Sequence, residues 1–173
     1  MNTQLFLELA LLAGLLVLSA LVIKRFGKNN NTTAQKLQLF LTGLLGGFLI
    51  MAGTVKFFDP FTTMFTTQIS LSELPFPTLS RWAGQLGEIT AGLIFLFALI
   101  LRKSLNNQLT HYALYGASSL TTIIMFVAVY VHLLPGVPAE VLPLQSKPPV
   151  LTVIIILLVW LNAYLFHKNK RLF

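Results

Sequence analysis

The sequence predicts an all-α polytopic membrane bundle of five transmembrane helices, with the N-terminus outside and the C-terminus in the cytoplasm. Three observations predict it. Of the 173 residues, 55% are hydrophobic and 10% charged, with mean hydropathy +0.79, whereas a soluble domain is about a quarter charged. The apolar residues gather into five runs, each near the roughly 20 residues that cross about 30 Å of hydrocarbon. The cations and anions then divide between the two sides of those runs.

The first run covers residues 5–26 and is interrupted only by Glu8 and Ser19. Its cations follow the apolar stretch instead of preceding it, so it reads as an uncleaved anchor and not as a secretory signal. The second, 37–58, is rich in glycine; the third, fourth and fifth cover 82–101, 112–134 and 150–166. No run carries an internal proline, which would break an intrahelical hydrogen bond. One domain accounts for the whole chain, 1–173.

Net charge is +7, which on a soluble chain would suggest nucleic acid. The placement argues for topology instead. Lys24, Arg25, Lys28 and Lys36, then Arg102 and Lys103, then Lys168, Lys170 and Arg171 all fall on one side of the runs, as cytoplasmic loops do. Glu8, Asp59, Glu73, Glu88 and Glu140, and all eight prolines, fall on the other. There are no cysteines, which excludes disulfides, thiolate catalysis and cysteine-held metals or clusters.

The loop after the second run has a pattern of its own. Asp59 and Pro60 read as a cap and first helical position. Phe61, Met64, Phe65 and Ile69 then oppose a threonine face, so an amphipathic helix over 59–69 is expected to lie in the outer membrane interface. The last outer loop, with five prolines between 135 and 149, is expected to be extended and stiff.

Ionisable residues inside spans are costly and are functional candidates by default. The cytoplasmic halves read as nearly pure hydrocarbon; the outer halves do not. Glu8 lies a turn into the first run, Lys56 ends the second, and His132 nears the end of the fourth. Arg81, Gln85 and Glu88 are spaced i, i+4, i+7 and share one helical stripe. Four helices thus bring polar groups to one depth, which suits a headgroup such as a quinone's, or proton handling by Glu88. The plainer reading is that Glu88 pairs with Lys56 or Arg81 and locks two helices together. His111 and His167 sit at the opposite border without accompanying carboxylates, and His132 reads as a structural histidine. No phosphate-binding glycine loop, zinc-protease or serine-nucleophile pattern is present, so the residues alone do not say whether the chain is an enzyme.

The stretches 46–60 and 82–93 resemble the DoxX-like integral membrane proteins. Gly53, Lys56 and Pro60 stand at the end of one helix, and Glu88 and Gly92 on the next, with Gly84 and Gly87 before them. The resemblance spans about residues 40–135. It implies a four-helix core with the first helix as an addition, and a bacterial cytoplasmic membrane. It also implies kinship with the DoxD subunit of thiosulfate:quinone oxidoreductase, hence a quinone- or redox-associated accessory role among membrane lipids and a larger membrane or redox complex. An assembly subunit without catalysis, or a small lipid- or solute-binding transporter-like protein, fits the same residues.

Overall fold

A computed structural model describes residues 3–26, 32–101 and 107–169. The described residues form six α-helices and no strand: α1 Thr3–Phe26, α2 Thr33–Val55, α3 Phe61–Leu71, α4 Pro77–Ile100, α5 Asn107–Leu133 and α6 Val150–Lys168. Of these, α2, α4, α5 and α6 are long and apolar enough to cross a membrane, while the apolar part of α1 is the shorter stretch Leu5–Leu21.

Helix ends follow local chemistry that differs from the sequence expectation in several places. Thr32 and Gln35 form a reciprocal capping box, so α2 begins at Thr33, ahead of its apolar run. It stops at Val55, with Lys56 closing its last turn. Pro77 fills the first turn of α4, where its missing N–H costs nothing, and α4 therefore includes Ser80 and Arg81. Asp59 does not cap α3. The helix starts at Phe61 behind Pro60 with no side-chain cap, and the Asp59 carboxylate accepts the Thr63 hydroxyl at 2.8 Å instead.

The last loop is not extended. Two short 3-10 turns, Ala139–Val141 and Pro143–Gln145, fold it over the bundle and bury Val137 and Leu142. Leu144 and Gln145 take left-handed backbone angles, φ 55° and 49°, which cost L-residues about 1–2 kcal/mol each.

Helix α2 packs against α4 along a seam of missing side chains. A Cβ on Gly92 would stand 2.6 Å from the Gly46 carbonyl oxygen and 2.8 Å from the Ile50 nitrogen. One on Gly53 would stand 2.8 Å from the Gln85 carbonyl oxygen. Only glycine lets the backbones come this close, and in lipid such contact and van der Waals packing drive association. The seam is Gly46, Gly53 and Gly92; Gly47 faces Leu15 of α1 instead. Around it Leu45, Leu49, Phe95, Leu99, Ala117 and Val159 form the buried core. Bulky residues such as Val17, Leu18, Ile123, Leu133 and Leu157 point outward, more apolar surface than water would tolerate.

The half of the bundle away from α3 is less hydrocarbon-like than its sequence suggests. Gln38, Thr42 and Asn162 are buried there. The Thr42 hydroxyl lies 2.9 Å from the Gln38 carbonyl oxygen and 3.0 Å from Asn162 Oδ1, which ties α2 to α6. Isolated amides in apolar runs carry no periodic signal, so only the packing shows that they meet. Tyr115 and His167 share a contact near this end, hydroxyl to Nδ1, at 3.2 Å, and His111 sets its ring edge-on to Phe166 at 4.9 Å.

Candidate functional site: a chamber under α3

All six helices contribute to one cavity of about 510 Å³, within the range that holds a small organic ligand. Its floor is Phe48 and Met51 of α2 with Met125 of α5; Phe61, Met64, Phe65 and Ile69 of α3 form its cover. The amphipathic pattern of α3 explains the cover, since its apolar stripe turns to the bundle and Thr63 and Thr66 stay exposed.

Four of the six candidate residues line this chamber: Glu8, Lys56, Glu88 and His132. The other two, Arg81 and Gln85, do not. Lys56 Nζ donates to Glu88 Oε2 at 2.5 Å, with side chains only 18% and 8% exposed. The same ammonium stands 4.2 Å from the Phe65 ring centroid, a cation–π contact that binds the cover to the ion pair.

Glu8 reaches across from α1. Its Oε2 accepts the Leu144 N–H at 2.6 Å, so this carboxylate holds the left-handed turn of the last loop in place. Lys147 reinforces the loop by donating to the carbonyls of Leu134 and Val137. His132 is hydrogen-bonded to the backbone of Lys147 and Ser146 in the last loop, as a structural histidine would be, and it also faces the chamber. It is 4% exposed, lines the chamber, and its Nδ1 has no hydrogen-bond partner among the described residues.

Arg81 turns away from Glu88. Its guanidinium donates to Thr66 Oγ1 at 3.2 Å and lies over the Trp82 ring at 5.0 Å, so it pins α3 to α4 from outside. Gln85 is buried at 1% exposure on the α2 side of its helix, and neither amide atom has a partner among the described residues. A shared stripe i, i+4, i+7 still fans over tens of degrees, because a helix turns 100° per residue. That spread turns Gln85 aside, whereas Arg81 and Glu88, seven residues apart, differ by only about 20° around the axis but by about 10 Å along it, so Arg81 meets Thr66 of α3 while Glu88 lies in the chamber.

The sequence reading missed the chamber's walls. Met51, Met64 and Met125 all line it, and they are three of the chain's four methionines. Methionine is the flexible, polarisable lining that adapts to varied apolar ligands, so its distribution was the available signal. Gly84 and Ala83 form the thin wall on α4.

No protein-family model, curated protein or solved structure matches this chain.

Proposed function

We propose that this chain is a DoxX-like, five-span protein of the bacterial cytoplasmic membrane that holds a neutral quinone-like amphiphile in the chamber under α3, as an accessory subunit of a redox-associated membrane complex. One observation carries the ligand reading: a chamber of about 510 Å³ with methionine-rich apolar walls, an ion pair and a buried histidine whose Nδ1 has no partner among the described residues. Buried polar atoms are nearly always satisfied, and a ligand oxygen or hydroxyl would satisfy His132 Nδ1.

The charge pattern favours an uncharged headgroup. The charged lining residues are Glu8, Lys56 and Glu88, and Glu88 already neutralises the only cation among them. A phosphate would have to displace Glu88 and face Glu8. A quinone carbonyl can share Lys56, which has three donors, without disturbing the pair. The resemblance of the Gly53–Lys56–Pro60 and Glu88–Gly92 residues to the DoxX-like pattern supports the same direction. In this reading those glycines form the helix seam and the two charges form the chamber's polar end.

Purified protein is expected to bind a decyl-tailed benzoquinone in preference to an anionic phospholipid in equilibrium titration. Preference for the phospholipid, or for neither, would instead favour a non-catalytic assembly subunit whose charges only join helices. For topology, cysteines placed at Thr66 and Gln145 should label with an impermeant thiol reagent in intact cells, and cysteines at Asn30 and Asn106 should not. The cation distribution motivates this; labelling at Asn106 would reverse the orientation.

A further inference from the structure

Among the described residues, the exposed helical lining of the chamber gathers on one flank. Of its lining residues on helices, the ones exposed at the surface are Ala83 on α4 and Ile123 and Val127 on α5; Ile123 and Val127 are 63% and 42% exposed. The lining residues of α1, α2, α3 and α6 are buried or half-buried. Ile123 and Val127 are four apart and share a stripe, as do Ala83 and Gly87. The two helices touch where the Ile124 side chain reaches Gly87, so that a Cβ there would lie 2.8 Å from Cδ1. One turn nearer α3, the small Ala83 and Val127 both line the chamber and are both exposed.

We propose that this flank holds a lateral portal, through which the apolar tail of the bound amphiphile leaves the chamber between Ala83 and Val127 and lies in the bilayer. The proposal rests on the ligand reading above and adds its second half, a neutral headgroup on a long single tail. A chamber of this volume suits a molecule of ordinary small-ligand size and has no room for a polyprenyl or long acyl chain as well. The flank next to the opening is itself apolar, with Leu86, Ile123 and Tyr130 exposed, so a tail emerging there meets lipid and not water. The ion pair lies inside the chamber, with Glu88 one turn beyond Gly84 on the same helix, which places the head inside and the tail outside.

The experiment plugs the portal from either side. Ala83→Phe and Val127→Trp each place a ring at an exposed position, outside the packed core, and Leu86→Trp serves as a neighbouring exposed control that does not line the chamber. Retention of a decyl-tailed benzoquinone and of its tailless parent is measured on the detergent-solubilised full chain. The plugged variants should lose the tailed compound by about tenfold or more, the scale on which apolar pockets discriminate chain length. They should keep the tailless one, and the Leu86 control should keep both. Retention of the tailed compound at wild-type level in both plugged variants would overturn the portal while leaving the chamber reading intact. Loss of both compounds from correctly folded variants would overturn it too, since the residues would then be shaping the headgroup site. Wild-type protein that binds neither compound would overturn the ligand reading, and the portal with it.

Discussion

Glu88→Gln is expected to lower stability by about 3 kcal/mol, as removal of one partner from a buried ion pair does. The loss comes from Lys56, whose side chain is 18% exposed and would keep its charge with no counter-ion in a poorly solvated place. Insertion scales put an unpaired charge at the centre of a bilayer at about 2.5–3.5 kcal/mol, the same size. The exposed Glu73 sets the baseline, and Glu73→Gln should stay within about 0.5 kcal/mol of wild type. Combining Lys56→Met with Glu88→Leu should restore most of the loss, because replacing both charges removes the desolvation cost with the attraction. Thermal unfolding in detergent reads all four. A Glu88→Gln variant as stable as wild type would mean that the pair does not hold α2 to α4.

An equally large effect is expected at the helix seam. Gly92→Ala would drive a methyl group against the Gly46 carbonyl and the Ile50 nitrogen, at 2.6 and 2.8 Å. Backbone cannot rotate aside as a side chain can, so the helices must separate, at about 3 kcal/mol, the upper end for an overpacked core. Gly14 and Gly116 make the contrast, since nothing lies within 4 Å of a Cβ at either. Both sit within helices, where alanine is favoured over glycine by about 1 kcal/mol, so Gly14→Ala and Gly116→Ala should leave stability unchanged or raise it. The same unfolding measurement decides between them; a tolerated Gly92→Ala would mean that α2 and α4 do not approach this closely.

These two predictions mark where sequence and structure part. Long apolar runs give α2, α4, α5 and α6 without ambiguity, because lipid demands both length and hydrocarbon. The pairing of Lys56 with Glu88 was also within reach, since two opposite charges at one depth have few other partners. What spacing could not decide was angle. Gly43 and Gly47 have the familiar small-residue spacing, yet the seam uses Gly46 and Gly53, seven residues apart and so nearly on one line of the helix. Arg81 does share a stripe with Glu88, but it sits about two turns nearer the start of α4 and reaches Thr66 of α3 instead. Glu8 could be placed at the right depth, but its bond to the Leu144 N–H joins residues 136 apart, through a left-handed turn that no local pattern announces. The chamber was illegible for a related reason. A cavity is space that side chains leave unfilled, and only Met51, Met64 and Met125 hinted at its edge.

The central claim is that the chamber under α3 is occupied by one neutral amphiphile, and native mass spectrometry of the gently solubilised chain tests it most directly. Gly84 lines the chamber, and its nearest neighbour is the far edge of the Phe65 ring, 3.5 Å from an added Cβ. Gly84→Phe therefore fills the space without striking backbone. Wild-type protein should carry a small uncharged lipid-like adduct in one-to-one ratio, and Gly84→Phe should lose it while unfolding at the wild-type temperature or above. A bare wild-type chain, or an adduct equally retained by the filled variant, would contradict the account.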